Sequence, residues 1–265
     1  MYLPKVSVVT VVFNGLANIE PTIQSIIGQN YSNFEYIVID GSSSDGTLEI
    51  IKKYELSINY FISEKDNGIY DAMNKGIDAC TGDWVIFMNC GDLFFDNNVL
   101  TAIFTLPIKN EIMLICGGAH VRSEWGDFYI NPRIESQIWK SFVHQSMFTR
   151  IEINREYKFN LRFKAASDFD FVYTLFSKGY KTISVDNVVS DILYISSGFS
   201  SVNEVLSKKE VLNSIVLHRN KFAFFHKHYL YHYFAYIRKL ISIKVKKTFP
   251  KLITFIRKSR DINYG

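Results

Sequence analysis

The sequence has little cysteine: Cys80, Cys90 and Cys116 are the only three among 265 residues. An odd number without metal-like spacing argues against a disulfide framework or a cysteine metal cluster. It fits a reducing compartment in which the thiols are small buried side chains. No apolar stretch has the length and purity of a membrane span. No signal peptide precedes the first strand, so the expected location is the cytoplasm, peripheral on the inner face of the cytoplasmic membrane. There is no internal repeat and no low-complexity segment. Neither Gly-x-Gly-x-x-Gly nor Gly-x-x-x-x-Gly-Lys-Ser/Thr occurs, which weakens dehydrogenase and P-loop ATPase readings.

What is present is an ordinary apolar fraction, 48%, enough to fill a core in one large domain with an appendage. The net charge of +4 is unevenly placed. From Glu204 onward there are 14 Lys+Arg against 3 Asp+Glu, which leaves 16 against 23 in residues 1–203. An acidic body with a basic tail points to an anionic partner for the tail, either membrane or nucleic acid.

The amino-terminal half alternates strand and helix. Residues 6–12 are β-branched and nearly all apolar, the pattern of a buried parallel strand. Asn18 is placed to cap a helix with Pro21 in its first turn and Ile19, Ile23, Ile26 and Ile27 as its buried stripe. Residues 36–40 form a second strand ending in the polar turn Gly41-Ser42-Ser43-Ser44-Asp45-Gly46-Thr47. A short strand over 59–62 leads through Asp66-Asn67-Gly68 into a helix with Ile69, Met73, Gly76 and Ile77 on one side. Residues 84–89 are the next buried strand, and Asn89-Cys90-Gly91-Asp92 follows. This predicts an α/β fold, a Rossmann-like mixed sheet flanked by helices, with the polar loops gathered at the carboxyl edge. Asn89 and Asp92 then stand where a ligand or metal is met; an Asx-closed tight turn suits the same residues.

Beyond Asp92 the pattern changes. A short helix over 98–106 stops at Pro107, and 112–116, 119–123 and 127–130 read as short antiparallel strands. Residues 141–148 mix strand formers with the polar pair His144-Gln145. Asp168 and Asp170 precede a helix over 171–178, 182–186 and 188–195 are further strands, and 196–201 is a flexible loop.

Four motifs occur in order: Val-Ser-Val-Val-Thr-Val-Val-Phe-Asn, Ile-Asp-Gly-Ser-Ser-Ser-Asp-Gly-Thr, Asp-Asn-Gly-Ile-Tyr-Asp-Ala-Met-Asn-Lys-Gly and Phe-Met-Asn-Cys-Gly-Asp. Over about residues 5–200 the chain resembles family 2 glycosyltransferases of the GT-A fold, of the kind that assembles O-antigen, capsule and other surface polysaccharides. The resemblance implies a nucleotide-sugar donor, usually a UDP-sugar, a divalent cation (Mn²⁺ or Mg²⁺), and inversion at the anomeric carbon. It places Thr10 and Asn14 in the nucleotide pocket with Ser42 beside them, and Asp40 at the uracil ring. It places Asn67 and Asn74 near base and ribose, and makes Asp168 the catalytic base. It also implies acceptor contacts from His144 and Gln145. The family's Asp-x-Asp metal motif reads Asn89-Cys90-Gly91 here, followed by Asp92, so Asp92 remains as the charged metal ligand with Asn89 assisting.

The chemistry suits those residue types. Breaking an anomeric carbon–diphosphate bond passes through an oxocarbenium-like transition state and gathers charge on the leaving group. A cation held by one or two carboxylates offsets it. A carboxylate near the acceptor hydroxyl serves as general base, typically for a factor of about 10²–10⁴. Asp168 and Asp170 are two apart and do not share a helix face. One is the base and the other a cap at the helix amino terminus; an Asp before an apolar helix is by default a cap. A histidine among strand residues is also more often structural than catalytic. Trp125 and Trp139 suit sugar or lipid stacking, or core packing. The loop containing Ser197 to Ser201 suits a lid or a plain turn.

The expected domains are 1–202, catalytic, with a donor half to about 95 and an acceptor half from 96, and 203–265, a helical, aromatic and basic extension that Asn203 caps. Phe222, Phe225, Tyr229, Tyr233 and Tyr236 fall at helical spacing, and Arg238, Lys239, Lys244, Lys246, Lys247, Lys251, Arg257, Lys258 and Arg260 follow. Rings with Lys and Arg suit a membrane interface holding a lipid-linked saccharide acceptor; a hairpin packed on the catalytic domain is the alternative. Two further readings compete with a transferase: a sugar-nucleotide-binding scaffold, and a nucleotidyltransferase. The latter lacks a basic triphosphate loop at Val12-Phe13-Asn14-Gly15. Nucleic-acid binding is suggested by the tail alone and is not expected.

Overall fold

A computed structural model describes residues 3–131, 143–196, 198–219 and 227–248. The chain divides into two compact units, Met1–Val202 and Asn203–Gly265.

The first unit begins with strand–helix alternation: β1 (Val6–Val12), α1 (Ile19–Ile27), β2 (Phe34–Asp40), α2 (Thr47–Lys53), β3 (Tyr60–Ser63), α3 (Ile69–Ala79) and β4 (Trp84–Phe87). These four strands are parallel, with β1 between β2 and β4 and β3 outside β2. Then follow β5 (Asp92–Phe94), α4 (Val99–Phe104), β6 (Ile112–Ser123), β7 (Phe128–Ile130), β8 (Met147–Arg150), α5 (Ile151–Tyr157), α6 (Ser167–Ser177), β9 (Lys181–Tyr194) and α7 (Phe199–Val202). The sheet has nine strands in the order β3-β2-β1-β4-β8-β6-β9-β5, with β7 on β6. β8 runs antiparallel to both β4 and β6, so the sheet is mixed.

The core follows from the strand period of two. Val6, Val8 and Val12 of β1 pack with Ile19, Ile23 and Ile26 of α1 and with Leu100 and Ile103 of α4. Val9 and Val11 face the opposite layer, with Met73 and Ile77 of α3, Ile151 and Ile153 of α5 and Phe171 and Leu175 of α6. Burying each such side chain contributes roughly 1.5–3 kcal/mol. Both faces of the sheet are therefore covered, which is why β1 and β4 read as continuous apolar runs.

Several local expectations change. Residues 112–123 form one strand, not two, and 181–194 likewise form one. The two pair in parallel, with irregular register around Gly118, while β7 runs antiparallel to β6 as expected. α6 starts at Ser167, so Asp168 and Asp170 lie inside its first turn. Asn18 stands at the N-cap of α1 but makes no side-chain cap bond. Trp125 is 72% exposed, not in the core. Part of the expected 196–201 loop is the short helix α7. Trp139, Ser197 and residues 141–142 of the segment expected around His144 lie outside the described residues.

The second unit contains α8 (Glu204–Arg219) and α9 (Lys227–Thr248). α8 begins at Glu204, whose carboxylate pairs with Lys208 and with Lys239 of α9. Leu230, Phe234 and Ile241 of α9 are exposed and fall in one helical register. Phe222, Phe225 and the basic residues from Lys251 onward lie outside the described residues.

Candidate active site

The carboxyl ends of β1, β2 and β4 meet at one edge of the sheet. The loop after β1 and the loop after β2 are stitched together. Asn14 N–H donates to Ser43 Oγ at 2.7 Å, and Ser44 N–H donates to Asn14 Oδ1 at 3.0 Å. Gly15 N–H donates to Thr47 Oγ1 at 2.9 Å and Leu16 N–H to Asp45 Oδ2 at 3.0 Å. Asn14 takes a positive φ of 49°, a conformation asparagine tolerates better than most residues. Gly15 is required by crowding: a Cβ there would stand 2.5 Å from Cys90 Sγ. Cys90 Sγ donates to Gly15 O at 3.6 Å, which sets the loop after β1 against Asn89-Cys90-Gly91-Asp92.

Between these loops and the start of α3 lies a cavity of about 550 Å³, lined among others by Phe13, Asn14, Asp66, Gly68, Ile69 and Asn89, with Phe199 of α7 at its wall. Two buried oxygens in this region have no partner, Asp40 Oδ1 and Asn89 Oδ1. The other Asp40 oxygen accepts from Ser43 N–H at 2.9 Å and Ser63 Oγ at 2.6 Å. A buried acceptor without a donor is costly, so each of these oxygens is poised for a donor or a cation.

On the other side of Asn89 a polar chain leads to α6. Asn89 Nδ2 donates to His144 Nε2 at 3.2 Å. The other ring nitrogen, Nδ1, faces Asp168 Oδ2 at 3.5 Å. Tyr70 Oη donates to Asp168 Oδ1 at 2.9 Å. Burial works against the ionised Asp168, but the His144 contact and the Tyr70 hydroxyl outweigh it and hold the carboxyl below the usual range. Burial likewise opposes a charged His144, and Asp168 with Asp92 reverses that and raises its pKa. Asp92 is buried enough to push its carboxyl up to about 6, against the lowering influence of His144 and a hydrogen bond from Gln145. Its backbone is fixed by N–H donation to Asn89 O at 2.8 Å and by Thr22 Oγ1 donating to Asp92 O at 3.0 Å.

The structure thus gathers Asn14, Asn89, Asp92, His144, Gln145 and Asp168 around one edge. Others expected there are engaged elsewhere. Thr10 has the same parity as Val8 and Val12, so it faces α1; it is fully buried, donates to Met88 O at 2.7 Å and accepts from Tyr36 Oη. The Asn74 amide grips the backbone of Phe159, donating to Phe159 O at 2.9 Å and accepting from Phe159 N–H at 2.8 Å. Asn67 bonds Asp71 and lines a separate cleft beside Leu161, and its neighbour Asp66 takes the cavity wall. Ser42 is exposed with φ 68°, outside the cavity lining. Asp170 is buried, accepts from Asn160 Nδ2 at 3.3 Å and is not part of the chain to His144. The sequence reading missed Asp66 and Tyr70. Asp66 sat in a recognised turn, with nothing to tell it from Asn67; Tyr70 looked like one more ring on an apolar helix face.

A mixed sheet with a cavity at the carboxyl ends of its parallel strands, and carboxylates at its rim, is the arrangement of an α/β enzyme with its ligand site at that edge. The chain belongs to that class as a member of glycosyl transferase family 2, whose family model matches residues 7–180. It is 28% identical over 185 residues to a PGL/p-HBAD biosynthesis glycosyltransferase of Mycobacterium bovis, covering 67% of this chain and 72% of that one. Its fold is similar to Staphylococcus aureus TarS in complex with UDP-GlcNAc, with a TM-score of 0.69, 17% identity, and coverage of 88% of this chain and 73% of that one. It is similar as well to the mannosyltransferase PcManGT of Pyrobaculum calidifontis in complex with GDP-Man and Mn²⁺, with a TM-score of 0.69, 16% identity, and coverage of 98% and 81%. The fold is accordingly that of GT-A-type glycosyltransferases.

Proposed function

We propose that the protein transfers a hexose from a nucleotide sugar, a UDP-sugar, to a lipid-linked (polyprenyl diphosphate) saccharide, with inversion, in surface-polysaccharide biosynthesis. The observation that carries the reading is the continuous polar chain from Asn89, on the wall of the cavity, through His144 to Asp168. It puts a base candidate within one imidazole of the donor site. Asp40 keeps an unpartnered Oδ1, but it is fully buried and outside the cavity lining, so a contact with a base ring N–H requires the end of β2 to open.

The residues present fit a divalent cation. Among the described residues no cluster of three or more His, Cys, Asp or Glu forms a self-sufficient metal cage. Mg²⁺-type sites, however, use one or two carboxylates with substrate phosphates and water. Asp92, whose buried carboxyl is raised to about 6 without a cation beside it, and the unpartnered Asn89 Oδ1 supply that oxygen set. When bound, the cation neutralises charge on the departing diphosphate. Asp168 accepts the proton of the acceptor hydroxyl as its oxygen bonds to the anomeric carbon. The bond from that carbon to the diphosphate breaks in the same step, and the electron pair leaves with the nucleoside diphosphate. His144 holds Asp168 from one side and Asn89 from the other, and Gln145 orients Asp92.

Two variants test this with a panel of nucleotide sugars and added Mn²⁺. Asp92→Ala removes cation-dependent turnover; an unchanged rate moves the ligand elsewhere. Asp168→Asn abolishes transfer while donor affinity persists; loss of folding instead would mark Asp168 as a helix cap. Donor binding without turnover by the wild type would favour a binding scaffold.

The proposed place of work is the inner face of the cytoplasmic membrane, at which α9 docks. The exposed register of Leu230, Phe234 and Ile241 lies beside the exposed Arg238 and Lys244, the arrangement of an interfacial helix. Among the described residues no helix is long and apolar enough to cross a membrane. Removing the residues after Lys244 weakens salt-sensitive binding to anionic liposomes. Undiminished binding would dismiss membrane docking.

A further inference from the structure

Tyr70 belongs to the core cluster of α3 together with Ala72, Met73 and Ile77, but it alone among them carries a hydroxyl to the rim of the site. The helix presents Ile69 and Ala72 to the cavity, and Met73 and Ile77 to the core. Tyr70 lies beside Ile77 at the edge of the core face, on the side away from Ile69 and Ala72, 8% exposed, with its hydroxyl on Asp168 Oδ1, 2.9 Å away. Its ring is held as firmly as the hydroxyl. It packs on Phe159 at 5.6 Å between centroids, and Phe159 is wedged against Phe87 at 5.3 Å and Phe171 at 5.5 Å. Asn74, one turn along α3, fixes the Phe159 backbone through both its amide atoms. The hydroxyl therefore has one accessible position.

Asp168 needs such a guide. It lies in the first turn of α6, where its carboxylate also accepts from the Phe169 backbone N–H. Left to that interaction, it would turn back as a helix cap. His144 draws one oxygen outward at 3.5 Å, a long contact. The shorter bond, on the other oxygen, comes from Tyr70.

We propose that Tyr70 is a positioning residue: its hydroxyl, seated at the amino terminus of α6 where the Ser167 and Asp168 backbone N–H groups also meet it, fixes the orientation of the Asp168 carboxylate and ties it to the helix that lines the donor cavity. This rests on the assignment of Asp168 as base. A consequence is that donor site and base share one rigid element, so a donor seated against Ile69 and Ala72 is in register with the group that activates the acceptor.

The test is Tyr70→Phe in the full chain, which keeps the ring packing and removes only the hydroxyl. A nucleotide sugar that the wild type turns over is the donor, and water the acceptor, with hydrolysis as the readout. Losing a hydrogen bond to a charged group is expected to lower kcat about tenfold or more. KM for the donor and the thermal midpoint should stay near wild type. In an Asp168→Asn background, Tyr70→Phe should add no further loss, because both changes interrupt one interaction. An unchanged kcat, a loss confined to KM, or the same fold-loss in the Asp168→Asn background each overturns the proposal. Full turnover by Asp168→Asn alone would instead remove the base assignment, and the role of Tyr70 with it. A dead Asp168→Asn beside a fully active Tyr70→Phe would remove Tyr70 only.

Discussion

At the residue scale, the outcome depends on which way each polar side chain points. Asn14 and Asn89 follow the ends of β1 and β4, and Asp92 opens β5 three residues after Asn89, so the strand ends fix where these residues emerge. Their grouping was legible for that reason. Thr10 was misplaced because a motif shows that a residue is present, and parity within β1 decides that it faces α1. The Asn74 contact was not legible because its partner Phe159 is 85 positions away and nothing local announces it. We expect Asn74→Ala to cost about 1–3 kcal/mol in denaturant unfolding, since it orphans a buried backbone pair. Donor affinity should be unchanged, whereas an Asn that touched base or ribose would weaken it.

At the element scale, the parallel half was readable, and in the second half the helices after Asn98 and around Asp168 were readable while the long strands β6 and β9 were not. β1 and β4 are covered on both faces, so their sequences are continuous apolar runs that admit one reading. β6 and β9 contain glycine or polar residues where they are irregular, and Gly117-Gly118 looked like a turn between two strands. The glycines are there because the neighbouring strand comes close. A Cβ on Gly117 would collide with Val189 and lie 2.9 Å from the Asn187 carbonyl. Gly117→Ala should therefore destabilise by roughly 1–3 kcal/mol, read as a lower denaturant midpoint, because backbone on the far side cannot yield as a flexible side chain does. An unchanged midpoint would mean that the bulge relaxes freely.

At the scale of the whole molecule, one buried carboxylate ties the far ends of the strands together. Glu35, at the amino-terminal side of β2, pairs with Lys5 at 2.8 Å and accepts from Ser7 Oγ at 2.5 Å, Thr81 N–H at 2.5 Å and Thr81 Oγ1 at 2.6 Å. Burial disfavours its charge, but the Lys5, Ser7 and Thr81 bonds together hold the carboxyl down to about 2. A folded value below the unfolded one stabilises above the unfolded pKa, and the effect disappears as pH falls toward the folded value. The contribution is on the order of 3 kcal/mol, present above about pH 4.5 and lost on the way to pH 2. Denaturant unfolding at pH 5 and pH 2.5 should show a shallower acid dependence for Glu35→Gln than for wild type; parallel slopes would refute the assignment. This network was invisible in the sequence, where Glu35 is merely the polar residue ahead of an apolar run.

The sheet ends at β3, which pairs only with β2 among the described residues and leaves Tyr60 and Phe61 43% and 39% exposed. An open border of this kind invites a second chain to add itself through main-chain bonds. Here it is only four residues long and runs directly into Glu64 and Lys65, so a guest strand would find little length to grip and charge at its end. Solubility during concentration is thereby protected by brevity and charge rather than by a cover.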